Sequence, residues 1–246
     1  MGIKSGIRVI IEKLIGRKIV KRHPFGVSPL DDLVFRFPNY PFEVIFDVGA
    51  NIGQSAVPFS TRFPKSRIYC FEPITRTFAT LRQNLRHCKN VESYQMALGA
   101  IRSEKVMTSM KNSDMSTLKA GSDTDMLASG EARTEIIKVD TISEFCGRHH
   151  IKRISYLKID TEGYDLEVIK GGKEMLDRSE IDFVELEAGM NPKNKLHVPL
   201  EEIKEYMENH GYSLFGIYEQ VQEWITQKPI LRRSNLLFIS DKMANK

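Results

Sequence analysis

The chain has 246 residues, of which 41% are apolar, with one Trp and 13 Phe. That is enough to bury a sizeable core in one large domain, which excludes disorder as the starting assumption. The net charge of +4 is concentrated at one end. Residues 1–23 carry Lys4, Arg8, Lys13, Arg17, Lys18, Lys21 and Arg22 against Glu12, a balance of +6, so the rest sums to −2 and no general nucleic-acid surface is indicated.

Cys70, Cys88 and Cys146 are odd in number and lack CxxC spacing, which argues against a disulfide framework and fits a reducing compartment. No apolar run approaches the roughly 18 residues needed to span a bilayer. The stretch "IRVIIEKLIG" is interrupted by Glu12 and Lys13 and lacks a small-residue cleavage site, so it does not read as a signal peptide. Ser5 stands one position too early for an N-myristoylation pattern. The expectation is a soluble, cytoplasmic protein.

Residues 1–40 form an N-terminal basic helix and lead-in. Ile7, Ile10, Ile11, Leu14 and Ile15 fall at helical spacing with basic residues opposite. That face either packs on protein or makes a peripheral contact with an anionic membrane, at its inner face, through residues 4–22. From residue 43 strand and helix alternate. "EVIFDV" is a strand and "GQSAVPFSTRF" a helix, with Pro58 early enough to be tolerated. "RIYCFE" is a second strand ended by Pro73, and residues 74–87 form a helix with Phe78, Leu81 and Leu85 on one face. "VESYQMAL" is a third strand. Residues 108–134 are polar with neither period, and read as an irregular lid or hairpin insertion.

Order then returns. "TISE" at 141–144 matches a capping box and opens a helix. "ISYLKID" is a strand, "DLEVIKGG" a helix stopped by Gly171 and Gly172, "IDFVELEA" a strand, and "PLEEIKEYMENHG" a helix closed by Gly211. "YSLFGIYE" and "NLLFIS" form a closing hairpin, one strand of it antiparallel to the sheet. The alternation predicts an α/β fold with a parallel, doubly wound sheet.

The most informative stretch is "FDVGANIG", residues 46–53. Glycines after a first strand let backbone approach a ligand. A dinucleotide fingerprint would need Gly-x-Gly-x-x-Gly and a P-loop Gly-Lys-Ser/Thr, but Gln54 follows Gly53 and both spacings fail. Asp47 would repel a pyrophosphate, whereas S-adenosylmethionine carries a sulfonium and an ammonium and no phosphate. Nineteen residues beyond Gly53, Glu72 ends the second strand, where a carboxylate can accept from both ribose hydroxyls. An NAD or nucleotide-sugar enzyme is therefore disfavoured.

"FDVGANIG", "CFEP", "LKIDTEGYD" and "VELEA", in this order, resemble the FkbM family of class I S-adenosylmethionine-dependent methyltransferases over about residues 42–240. The resemblance implies a Rossmann-like seven-stranded sheet with its last strand antiparallel, a methyltransferase domain over 41–246, and O-methylation of sugar hydroxyls in glycan biosynthesis or of small natural products. It implies that Asp47, Gly49, Ala50, Asn51 and Gly53 line the methionine part of the cofactor and Glu72 the ribose. Pro73 and Ile74 would line the adenine, with Ala97 and Leu98 on its other side. The acceptor would be a saccharide or glycan intermediate, with a polyketide-type acceptor or a non-catalytic nucleoside-binding module as alternatives.

Methyl transfer needs a base for a weakly nucleophilic hydroxyl. "LKIDTEGYD" lies at the carboxyl edge of the sheet and supplies Lys158, Asp160, Glu162 and Asp165. Asp160 or Glu162 is the expected base or acceptor-orienting carboxylate, with Glu187 as helper. Lys158 either serves the site or pairs with a carboxylate, and Asp165 caps the next helix. Three carboxylates also admit Mg²⁺, but the spacing is not diagnostic and no metal is assigned. Cys146, His149 and His150 lack a further ligand motif for zinc, and His87 and Cys88 end a helix unremarkably. His197 is a weak candidate to face the acceptor. There is no G-x-S-x-G, no H-E-x-x-H and no Asn/Asp-Pro-Pro-Tyr/Phe base site.

Overall fold

The computed structural model describes residues 23–110, 116–117 and 132–246. The chain divides into two compact units, residues 1–39 and 40–246. In the first, helix α1 (Pro29–Arg36) has Ser28 as its N-cap, accepting from the Asp31 amide at 3.3 Å, and Pro29 at the first position, where its missing N–H costs nothing. The predicted amphipathic helix of residues 4–22 lies outside the described residues.

The second unit follows the alternation: β1 (Val44–Val48), α2 (Ala56–Arg62), β2 (Arg67–Phe71), α3 (Thr75–Asn84), β3 (Val91–Tyr94), β4 (Ala97–Leu98), β5 (Ser103–Met110), β6 (Ser116–Thr117), β7 (Ala132–Asp140), α4 (Ile142–Arg148), β8 (Ile154–Ile159), α5 (Asp165–Lys170), α6 (Lys173–Asp177), β9 (Ile181–Gly189), α7 (Leu200–Asn209), β10 (Tyr212–Gln222), β11 (Leu231–Ser240) and α8 (Asp241–Ala244). The main sheet has seven strands in the order β10-β11-β9-β8-β1-β2-β3. β3, β2, β1, β8 and β9 pair in parallel, and β11 inserts antiparallel between β9 and β10. This is the expected Rossmann-like sheet with its last strand reversed. Every residue of β1 and β9 is buried, including Asp47, Asp182, Glu185 and Glu187.

Two sequence expectations need correction. "VESYQMAL" is not one strand: it breaks at Gln95–Met96, and Ala97–Leu98 leaves the main sheet to pair with β7 in a second sheet of order β4-β7-β5-β6. Both ends of the segment read as irregular are strand, because β5 and β7 pair antiparallel from Ser103↔Val139 to Met110↔Ala132. Period-two burial is present there, with Val106 and Ile136 exposed and Met107, Ile137 and Val139 buried. The middle of the predicted lid, residues 111–115 and 118–131, lies outside the described residues.

The helix stop at Gly171 is as predicted, but its cause is different. Gly171 keeps a helical φ of −66°, and a Cβ there would overlap the Gly99 carbonyl oxygen, so it is glycine for close approach. Thr141 caps α4 as expected, accepting from the Glu144 amide at 3.1 Å. All three cysteines are free. His149 stacks on Phe145 at 4.1 Å and Cys146 is buried, which accounts for both without a metal. Among the described residues no helix is long and apolar enough to cross a membrane.

Candidate active site

The strand order places the carboxyl ends of β1, β2, β8 and β9 side by side, and a cavity of about 480 Å³ opens over them, within the range of small-molecule sites. Its floor begins at the turn after β1. The Gly49 and Ala50 amides both donate to the Phe71 carbonyl at 3.0 Å, pinning the turn to the end of β2. Gly49 has φ +79°, and a Cβ there would overlap the Asp160 carbonyl oxygen, so only glycine fits where the turns after β1 and β8 touch. Gly49, Ala50 and Asn51 line the cavity, joined by Gln54 and Ser55.

Glu72, just past β2, is 7% exposed and lines the same cavity. Its Oε2 accepts from the Asn51 amide at 3.2 Å and its Oε1 from the Ile74 amide at 2.9 Å. Each carboxylate oxygen has further acceptor capacity. Burial raises the carboxyl from 4.5 to about 7, against the stabilising pull of these two amides. Pro73, Ala97 and Leu98 complete this side.

The β5–β7 hairpin closes over it. Met107 enters the lining, and Glu135 accepts from the Thr75 hydroxyl at 2.6 Å at the start of α3. The Lys105 ammonium donates to the Tyr164 hydroxyl and lies 4.6 Å from that ring's centroid.

The opposite wall comes from β8 and the turn after it, β9, β10 and β11. Lys158, Asp160, Glu162, Tyr164, Glu187, Glu219 and Arg233 all line it. Lys158 Nζ lies 2.7 Å from Asp160 Oδ2. Burial works to lower the Lys158 pKa, but Asp160, Asp47 and Glu185 outweigh it and hold the ammonium above its ordinary range. Of the two readings for Lys158, pairing with a carboxylate is what the geometry displays.

Glu162 adopts φ +51°, rare for a side chain with a Cβ. Burial raises its pKa, and the charges of Glu187 and Asp160 add to that, opposed by His197 and Arg233. Glu187 Oε1 accepts from Arg233 Nη1, and its Oε2 lies 2.5 Å from His197 Nε2, close but not aligned as a hydrogen bond. The cavity wall therefore carries Glu72, Asp160, Glu162, Glu187 and Glu219 against two cations, Lys158 and Arg233.

Several sequence-predicted residues stand elsewhere. Asp47 is not at the mouth. It lies inside β1 with no exposure, between Cys70 and Lys158 in register, and neither carboxylate oxygen has a hydrogen-bond partner. Burial raises it from 3.8 to about 6, with Lys158 pulling the other way. Gly53 faces Leu81, 3.2 Å from where a Cβ would sit, and so serves the packing of α3. The Ile74 side chain joins a buried cluster with Ala97, Met107, Ile137 and Val139, and only its amide serves the site.

Asp165 does not cap α5, whose N-cap is Tyr164. Its buried carboxylate accepts from the Thr161 hydroxyl at 2.9 Å and from the Gly163 and Glu187 amides at 3.2 and 3.1 Å, tying the turn after β8 to β9. Burial raises it to about 7, against the Glu187 amide. His197 does not line the cavity. It is buried behind Glu162 and Glu187.

The family profile described as the methyltransferase FkbM domain matches residues 47–214. The chain belongs to this family. Its relatives include Methyltransferase 1 of Beauveria bassiana, 31% identical over 55% of this chain and 59% of that protein. The 2-O-methyltransferase NoeI of Sinorhizobium fredii is 26% identical over 59% of this chain and 63% of its own length. The hexuronic acid methyltransferase AglP of Haloferax volcanii is 28% identical, over 62% and 59% respectively. The chain thus spans about three fifths of the curated relatives it matches. Within the FkbM match, Tyr164 was available to sequence reasoning, since it sits inside "LKIDTEGYD". Arg233 and Glu219, in β11 and β10, lie outside the matched span, and their motifs carry no signal.

Proposed function

We propose that the protein is an S-adenosylmethionine-dependent O-methyltransferase acting on a hydroxyl of a saccharide or glycan intermediate. The observation that carries this reading is the buried Glu72 carboxylate at the tip of β2. It is held by two backbone amides and faces the same cavity as the Gly49–Asn51 turn and the carboxylates after β8. A carboxylate-rich wall without a phosphate cradle fits a cationic nucleoside. Membership of the FkbM family and the two relatives named for a 2-O-methyl transfer and for hexuronic acid support the acceptor class.

S-adenosylmethionine, when bound, supplies an electrophilic methyl group on a sulfonium. Glu72 accepts from the ribose hydroxyls, the Gly49–Asn51 backbone lies against the methionine part, and Pro73, Ala97 and Leu98 flank the adenine. Glu162 takes the acceptor proton. Asp160 is engaged by Lys158 and orients the acceptor, while Glu162 is free of a lysine and its pKa is raised, which makes it the stronger base. Glu187, fixed by Arg233, supports Glu162. Excluding water and aligning the acceptor oxygen is the main task in an in-line displacement, and it falls to the residues lining this cavity. Residues 41–246 form the catalytic domain, and the segment 108–134 selects among acceptors.

The test is transfer from methyl-labelled cofactor to panels of hexoses, hexuronic acids and polyketides. Label should enter saccharides as a methyl ether stable to mild alkali. Label released as methanol would mean a carboxylate acceptor, and label confined to polyketides would reject the saccharide.

A further inference from the structure

Three side chains from three separate segments converge at one wall of the cavity: Glu162 from the turn after β8 and Glu187 near the end of β9, which line it, and His197 from the stretch before α7, which lies behind them. One donor atom from each lies within 4.8 Å of the other two. His197 Nε2 stands 2.5 Å from Glu187 Oε2 and 3.8 Å from Glu162 Oε2. The histidine is 3% exposed, and its Nε2 is buried without a hydrogen-bond partner.

The other ring nitrogen is occupied, because Nδ1 meets the Asn194 amide group, 3.2 Å from Oδ1 and 2.8 Å from Nδ2. Asn194 Nδ2 would donate to an unprotonated Nδ1 and Oδ1 would accept from a protonated one; in the second tautomer Nε2 keeps a lone pair pointing at two carboxylates. In that tautomer three electron-rich atoms without a proton between them repel, and a cation among them removes the repulsion. The surroundings fix these groups as the outer partners of a metal site do. Asn194 holds the imidazole through Nδ1, and Arg233 holds Glu187 by Oε1, leaving Oε2 to the cluster. Asp165 ties the Glu162 turn to the Glu187 amide.

We propose that Glu162, Glu187 and His197 bind one divalent first-row transition-metal ion, of the Mn²⁺ or Zn²⁺ type. One imidazole nitrogen with two carboxylate oxygens suits these ions better than Mg²⁺ or Ca²⁺, which favour oxygen throughout. Three protein ligands leave coordination positions open, and Glu162 and Glu187 both line the cavity, so those positions meet whatever occupies it. A hydroxyl bound there would have its pKa lowered, and a Glu162 that gives one oxygen to the ion keeps one for the proton. That use of the ion rests on the methyl-transfer reading, whereas the ion site does not.

The test is calorimetric titration of chelator-stripped protein with MnCl₂ and ZnCl₂ separately, followed by S-adenosylhomocysteine on the same samples. One saturable site is expected, with an upward shift of the thermal unfolding midpoint. His197→Gln and the half-exposed Glu162→Gln should each weaken binding by about tenfold or more. Circular dichroism checks that both variants fold. Absence of binding by either ion, or unchanged affinity in both variants, overturns the proposal. S-adenosylhomocysteine binding without metal binding sinks the ion site and leaves the donor reading standing. Metal binding without S-adenosylhomocysteine binding does the reverse.

Discussion

Glu72 gives the sharpest quantitative consequence. Burial holds its carboxyl at about 7 in the ligand-free protein, so at neutral pH about half of the molecules carry a proton where the proposed ribose hydroxyls would donate. Only the ionised form offers both oxygens to the two hydroxyls. The apparent affinity for S-adenosylhomocysteine should therefore be greatest above pH 8 and fall about tenfold by pH 6 and about a hundredfold by pH 5. Binding near pH 7 should release about half a proton, visible by calorimetry in two buffers of different ionisation enthalpy.

Glu72→Gln isolates the carboxylate from the other groups that titrate nearby, Asp47 and Asp165. At pH 8 the amide forfeits charge-assisted hydrogen bonds worth about 3 kcal/mol, a loss of roughly a hundredfold. At pH 5 the wild-type carboxyl is neutral too, and the two proteins should converge. A wild-type affinity that stays flat between pH 5.5 and 8.5, or a variant that tracks it throughout, would refute the ribose role.

Three further outcomes follow from the same geometry. Asp47 has a folded pKa of about 6 against an ordinary 3.8, so the folded state keeps its proton to higher pH than the unfolded chain. Its contribution to stability therefore falls as pH rises from about 4 to about 6 and stays lost above, by about 3 kcal/mol. Asp47→Asn should raise ligand-free stability in urea by about 1–3 kcal/mol at pH 8 and change little at pH 4; no gain at pH 8 would contradict the burial argument. Gly49→Ala combines a left-handed backbone with overlap on the Asp160 carbonyl and should cost more than about 3 kcal/mol, while Gly147→Ala in α4, where a Cβ meets nothing, should be neutral or slightly stabilising. Glu162→Gln should lower kcat by about two to four orders of magnitude with cofactor affinity kept, and Asp160→Asn by less; full turnover in Glu162→Gln would remove it as the base.

The sequence by itself determined the main sheet and the placing of Gly49 and Glu72 at one edge of it, because those features are local. Short, mostly apolar runs such as "EVIFDV" and "RIYCFE" are legible from pattern alone, and the Gly49 turn and Glu72 lie at the ends of these runs, where chain direction fixes their position. The hairpin of β5 and β7 was less legible. Its pairing partners are separated by a long polar stretch, and its exposed face mixes Val106 and Ile136 with charges, which blurs the alternation.

Tertiary structure alone decided what each carboxylate faces. Nothing in the spacing distinguishes Asp47, sealed inside β1, from Glu72, open to the cavity. Nor does it distinguish Asp160, held by Lys158, from Glu162 beside His197. Arg233 and His197 reach Glu187 only because β11 inserts antiparallel beside β9 and the segment before α7 folds back over its end. Charge is recognised across strands, over distances in space unrelated to separation along the chain, so the electrostatics around Glu162 and Glu187 came into being only with the packed sheet.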